Sequence, residues 1–135
     1  MTDNSVLQRF QRAVGTPAAA DTAAEAVEDY GAFGWLRGIR DRAIFLELRK
    51  KDGNIRAVGY AWLQELDFDP SIGITLHLPT GKIRILGRNL NAENRLNIRL
   101  FQGITCQRVP FLQEADEVAL MQAPETQTVV ERIEW

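Results

Sequence analysis

Three carboxylates, Glu65, Asp67 and Asp69, recur at a spacing of two. In an extended strand that spacing turns all three to one side. Converging carboxylates hold Mg²⁺ or Ca²⁺, or divide the work of a general acid and a general base. A metal-dependent enzyme is therefore one expectation. The same residues also describe a solvated strand edge running into the Asp69-Pro70 turn, where a row of like charges discourages edge-to-edge pairing. The edge is the preferred reading. Glu65, Asp67 and Asp69 stand as outside candidates for a metal, and no cofactor is expected.

A second set is rich in donors. Arg84, Arg88, Arg95 and Arg99 surround a polar connection over residues 87–95, together with Asn89, Asn91, Asn94 and Asn97. Arginine suits phosphate, and asparagine can read a base edge. Arg84, Arg88, Asn89 and Arg99 are thus the candidate nucleic-acid contacts. An ordinary loop explains the same residues, with asparagines at left-handed angles and arginines paired to the acidic tail. A third set, Arg56, Tyr60 and Trp62, falls on one face of a long strand. Cations and aromatics on a sheet face hold single-stranded nucleic acid, and they also pack against a neighbouring element. Packing is the expected use.

Other chemistry is excluded by counting. The chain has 135 residues with one histidine, His77, and one cysteine, Cys106. An internal disulfide, a cysteine-based zinc site and a paired-histidine metal motif are out of reach. Ser5 and Ser71 are the serines, and no nucleophile, base and orienting group can be assembled from this stock. Gly31, Gly34 and Gly38 do not match a phosphate-binding loop. Cys106 shares a phase with Ile104 and reads as a buried structural thiol, and His77 as a surface or interface residue. Neither a signal peptide nor a membrane-spanning run is seen, so a cytoplasmic protein without a membrane partner is expected.

The net charge of −2 hides a segregation. Residues 1–33 carry two basic against five acidic residues, residues 34–108 thirteen against seven, and residues 109–135 one against six. Acidic ends that fold back on a basic middle account for this, as does an anion-binding body with acidic flanks.

Periodicity identifies the elements that must position these groups. Val6, Phe10, Ala13 and Val14 share one helical face over about residues 4–14, and Gly15 and Pro17 end it. Thr22 and Glu25 have capping-box spacing for a second short helix through about Glu28. Phe33, Trp35 and Leu36 are too apolar for a linker and should tuck onto the neighbouring β domain. From Arg42 the period is two. Strands are predicted from Ile44, over residues 54–66, from Ile72 to Leu78, from Lys82 to Leu86, and from Leu96 to Val109, with a last one over residues 126–135. Lys51-Asp52-Gly53-Asn54 and Pro79-Thr80-Gly81 are the turns between them. Residues 116–121 fit a helical turn or a strand. The division is a helical segment and linker over residues 1–33 and a β domain over residues 34–135. The fold class is mainly β, a small antiparallel barrel or meander sandwich of seven or eight strands with one or two short N-terminal helices.

Over about residues 35–90 this pattern resembles the Sm-like small β-barrel proteins. The shared features are the N-terminal helix, the strand AIFLEL, the Asp52-Gly53 turn and the long strand with Gly59. Asp67 and the run KIRILGRNL (residues 82–90) complete them. The resemblance implies bent strands assembling into a ring that binds RNA, with Arg88 and Asn89 at the nucleotide and Asp67 as the orienting carboxylate. LDFDPSIGI lacks the asparagine of the first Sm motif, and the arginine-glycine pair of the second appears as Leu86-Gly87. Residues 87–90 (GRNL) also resemble a run in small bacterial sporulation proteins. The leading functional expectation is a non-enzymatic binding or assembly module that self-associates as a homo-oligomer through strand edges or the second face of strand 54–66. An RNA-binding Sm-like oligomer and the metal-dependent enzyme are its alternatives.

Overall fold

Turn chemistry sets the strand boundaries. The computed structural model describes residues 27–135, so the helix expected over residues 4–14 lies outside the described residues. The second expected helix does not run through Glu28, because β1 (Val27–Asp29) is a strand paired antiparallel with β2 (Gly34–Leu36). Gly31 takes a φ of 82° in the turn between them, and its amide donates to the Asp29 carboxylate. That turn drives Phe33 into the core, where it stacks beside Tyr30 and meets Trp35 edge-on.

β3 (Phe45–Arg49) and β4 (Ile55–Gly59) form the hairpin expected around Asp52-Gly53. Gly53 has a φ of 97°, and the Asp52 carboxylate accepts from the Asn54 amide. The single long strand expected over residues 54–66 is broken. A 3₁₀ turn (Tyr60–Trp62) interrupts it, and β5 (Glu65–Asp69) then belongs to a different sheet. The cause is Tyr60. Its ring is buried, its hydroxyl donates to the Val109 carbonyl at 2.6 Å, and its own carbonyl accepts from the Leu63 amide. Burial raises its phenol well above the usual tyrosine range.

β6 (Gly73–Leu78) and β7 (Gly81–Arg88) come next as a hairpin through Pro79-Thr80. With β11 (Val129–Glu134) they give a four-stranded sheet in the order β11-β7-β6-β5, antiparallel throughout. Between β7 and β11 come the short pair β8 (Glu93–Arg95) and β9 (Ile98–Arg99), then α1 (Leu100–Thr105), β10 (Phe111–Gln113) and α2 (Glu117–Gln122). α1 replaces the expected strand through Ile104. Leu100, Gly103 and Ile104 bury one helical face, and a Cβ at Gly103 would stand 2.4 Å from the Trp35 ring. The helix ends at Cys106, which is exposed and not the buried thiol expected from a strand phase. α2 settles the ambiguous stretch as a helix capped by the Asp116 carboxylate, which accepts from the Ala119 amide.

β10 runs parallel to β3, giving the order β10-β3-β4. The described residues thus hold eleven strands in four sheets, more than the seven or eight expected, because several are only two or three residues long. The fold is mainly β. The core lies between the sheets and takes Leu46 and Leu48 from β3, Ile74 and Leu76 from β6, and Ile83 and Ile85 from β7.

Candidate functional site

The two main sheets together have four outer edges, and each is finished differently. β10 is covered by a bridge from Phe33 to Leu112 and by the Gln113 amide donating to Ala32. β11 is covered by a bridge from Glu114 to Val130, which also links the two sheets. Glu114 anchors that link. Its carboxylate is buried and accepts from the Lys51 and Ile133 amides. Among the described residues, the other two edges, β5 and β4, have no strand beside them.

β5 is guarded by charge. Glu65, Asp67 and Asp69 alternate along it and are all exposed, as their spacing predicts. Asp69 is taken up locally. The Ser71 hydroxyl and amide both donate to its carboxylate and hold it below the usual carboxylate range. In its place His77 joins the group. It lies opposite Glu65 across the β5–β6 ladder, and its Nε2 is 2.6 Å from Asp67 Oδ2. Glu65, Asp67 and His77 bring donor atoms within 4.8 Å of one another. Only the cross-strand register, which is not a local signal, places His77 there.

β4 is unguarded. Its pairing with β3 brings Ile44 and Tyr60 into a hydrogen-bonded pair, so Val58 and Arg56, at the same phase, also bond inward. The amides and carbonyls of Ile55, Ala57 and Gly59 therefore point away from β3, to the open side. Large apolar side chains are exposed around this edge, together with Arg56. Phe45 is 55% exposed, Ile55 59% and Trp62 66%. Trp62 does not share the Arg56 face expected of a continuous strand. The 3₁₀ turn carries its indole over Gly59, where a Cβ would stand 3.0 Å from the ring and 3.7 Å from Phe45. Phe45 and Trp62 thus meet at Gly59, while Ala57 and Ile55 stand opposite the Glu47–Arg49 ion pair on β3. A groove of about 580 Å³ runs along the edge, from Arg56–Gly59 and Trp62 to Leu78-Pro79-Thr80 on the β6–β7 hairpin.

The arginine–asparagine set lies along β7, β8, β9 and the connections between them. Arg84 is exposed on β7 opposite Glu134. Arg88 Nε lies 3.4 Å from the Glu131 carboxylate. Asn89 has a φ of 56° and donates to the carbonyls of Glu125 and Gln127. Asn94 exchanges hydrogen bonds with Thr128, whose hydroxyl donates back to the Asn89 carbonyl. Arg99 reaches the Asn91 carbonyl at 3.4 Å. The asparagines thus tie the polar connection to the C-terminal segment. Arg56 lies elsewhere, 5.2 Å from the Trp135 ring, with Lys50 Nζ 4.2 Å from the same ring.

Comparison with family models, curated proteins and solved structures finds no match to this chain. No helix among the described residues is long and apolar enough to cross a membrane.

Proposed function

We propose that this protein is a non-enzymatic binding or assembly module that self-associates by adding a strand to the open edge of β4. The reading rests on the contrast among four edges. Among the described residues, two are covered, one is charged, and β4 alone combines outward backbone groups with exposed Phe45, Ile55 and Trp62. An incoming strand satisfies the amides and carbonyls of Ile55, Ala57 and Gly59, and specificity comes from the side chains beside them. Burying what remains exposed of Phe45 and Ile55 contributes up to about 2 kcal/mol each. The same pairing removes the aggregation hazard that a flat apolar edge otherwise presents.

The other readings have less support. The asparagines that an RNA site would use are bonded to residues 125–128. The carboxylate cluster joins two exposed carboxylates, Glu65 and Asp67, to a half-buried His77.

Light scattering across a concentration series tests the proposal. The native chain should weigh more than its 15.2 kDa, after nuclease treatment and in high salt. Ala57→Pro removes an outward N–H that β3 does not use, so it should give a folded single chain. Full-size assembly by a folded Ala57→Pro variant would refute the edge.

A further inference from the structure

Resting on that self-association reading, we infer that the strand added to β4 is β4 of a second copy, antiparallel about a two-fold axis through Ala57, and that the assembly closes as a dimer. Three registers pair two or more outward residues of each strand. With Ala57 opposite Ala57, Ile55 meets Gly59, and all three outward residues of each strand exchange both bonds. Centring the axis on Arg56 would set two guanidinium groups directly opposite each other, which is unfavourable. Centring it on Val58 would leave Ile55 facing the 3₁₀ turn, where no extended strand continues.

The Ala57 register also makes the side chains complementary. Gly59 has no side chain, and the indole of Trp62 lies over it. Ile55 of the second copy arrives beside that glycine, against the exposed part of Trp62. Ala57 at the axis is small enough to let the two apolar patches meet. On the other face Arg56 stands opposite Val58, so no like charges are paired. The result is one continuous six-stranded sheet, β10-β3-β4 joined to its copy.

The competing arrangement joins β4 of one copy to β5 of the next. It is head-to-tail and produces a ring or a filament. It would set the Glu65, Asp67 and Asp69 carboxylates beside a strand whose one charged side chain is Arg56, so three carboxylates would share a single cation. The two-fold pairing carries no such cost and relies on backbone bonds and apolar contact, so it should resist salt.

The test combines mass with site-directed cross-linking. Ala57→Cys and Asp67→Cys are each placed in a Cys106→Ser background, checked for native circular dichroism, and treated with a short bis-maleimide. Residues directly opposite in such a pair have Cα atoms about 5.5 Å apart, so Ala57→Cys should be captured as a covalent dimer and Asp67→Cys should not. The native chain should reach twice its 15.2 kDa mass and stop there, in low and in molar salt. A mass that climbs past two chains overturns the two-fold register while leaving self-association standing. So does capture only when the Ala57→Cys and Asp67→Cys proteins are mixed. A single-chain mass at every concentration overturns both.

Discussion

At the scale of single residues, one buried hydroxyl holds the site's framework, and its removal has a calculable cost. Tyr60 turns the chain between β4 and β5, and its hydroxyl satisfies the buried Val109 carbonyl. Tyr60→Phe leaves that carbonyl unpaired and should cost about 1–3 kcal/mol in denaturant unfolding. The phenol's raised pKa also fixes a sign. The unfolded chain loses this proton near pH 10, while the folded chain keeps it to higher pH. Stability from Tyr60 is therefore full below about pH 10 and falls above it. Thermal melts of the native chain should drop there, and those of Tyr60→Phe should drop less. Asp69 has the opposite sign. Its carboxyl is held low by the Ser71 hydroxyl and amide. Its contribution is full above about pH 4 and is lost as pH falls through the depressed value. Asp69→Ala should lower stability in the neutral region and flatten the acid limb, so that its curve meets the native one at low pH.

At the scale of elements, close approach decides more than propensity. Gly87 on β7 lies so near β11 that a Cβ would stand 2.0 Å from the Val129 carbonyl oxygen. That atom is backbone and cannot swing aside, so Gly87→Ala should pry the β7–β11 pairing apart and cost several kcal/mol, about 2–4 as for other overpacked sites. Chemical denaturation checks this. The hairpins were legible because their turns carry local chemistry: Asp52-Gly53 and Pro79-Thr80-Gly81 lie where the sequence predicts. The alternation of Leu46, Leu48, Ile74, Leu76, Ile83 and Ile85 likewise placed the core faces. α1 was not legible, since Leu100 and Ile104 fit a strand phase as well as a helical one and the tie-breaker is the Trp35 ring on Gly103. The break after Gly59 was hidden for the same reason. Tyr60 keeps the strand's alternation while its hydroxyl bonds to a residue far along the chain.

At the scale of the whole molecule, the C-terminal acidic segment folds onto the basic middle. Glu131 approaches Arg88 and Asn89 is bonded to the carbonyls of Glu125 and Gln127, while Glu134 pairs with Arg132 of its own strand. The charge segregation of the sequence is thus in part an internal match, which sequence position alone does not reveal. The acidic row on β5 was legible from its spacing. Which edge is open was not, because that depends on Phe33 and Glu114 bridging the other two from a distance.

Strand addition at β4 depends on three outward backbone amides, and hydrogen exchange reads them one by one. The amides of Arg56 and Val58 bond to β3 and should be protected at every protein concentration. Those of Ile55, Ala57 and Gly59 should be protected in concentrated solution and exchange rapidly on dilution to the single chain. Rapid exchange of these three amides in a sample whose mass exceeds one chain would mean that the copies meet somewhere other than this edge.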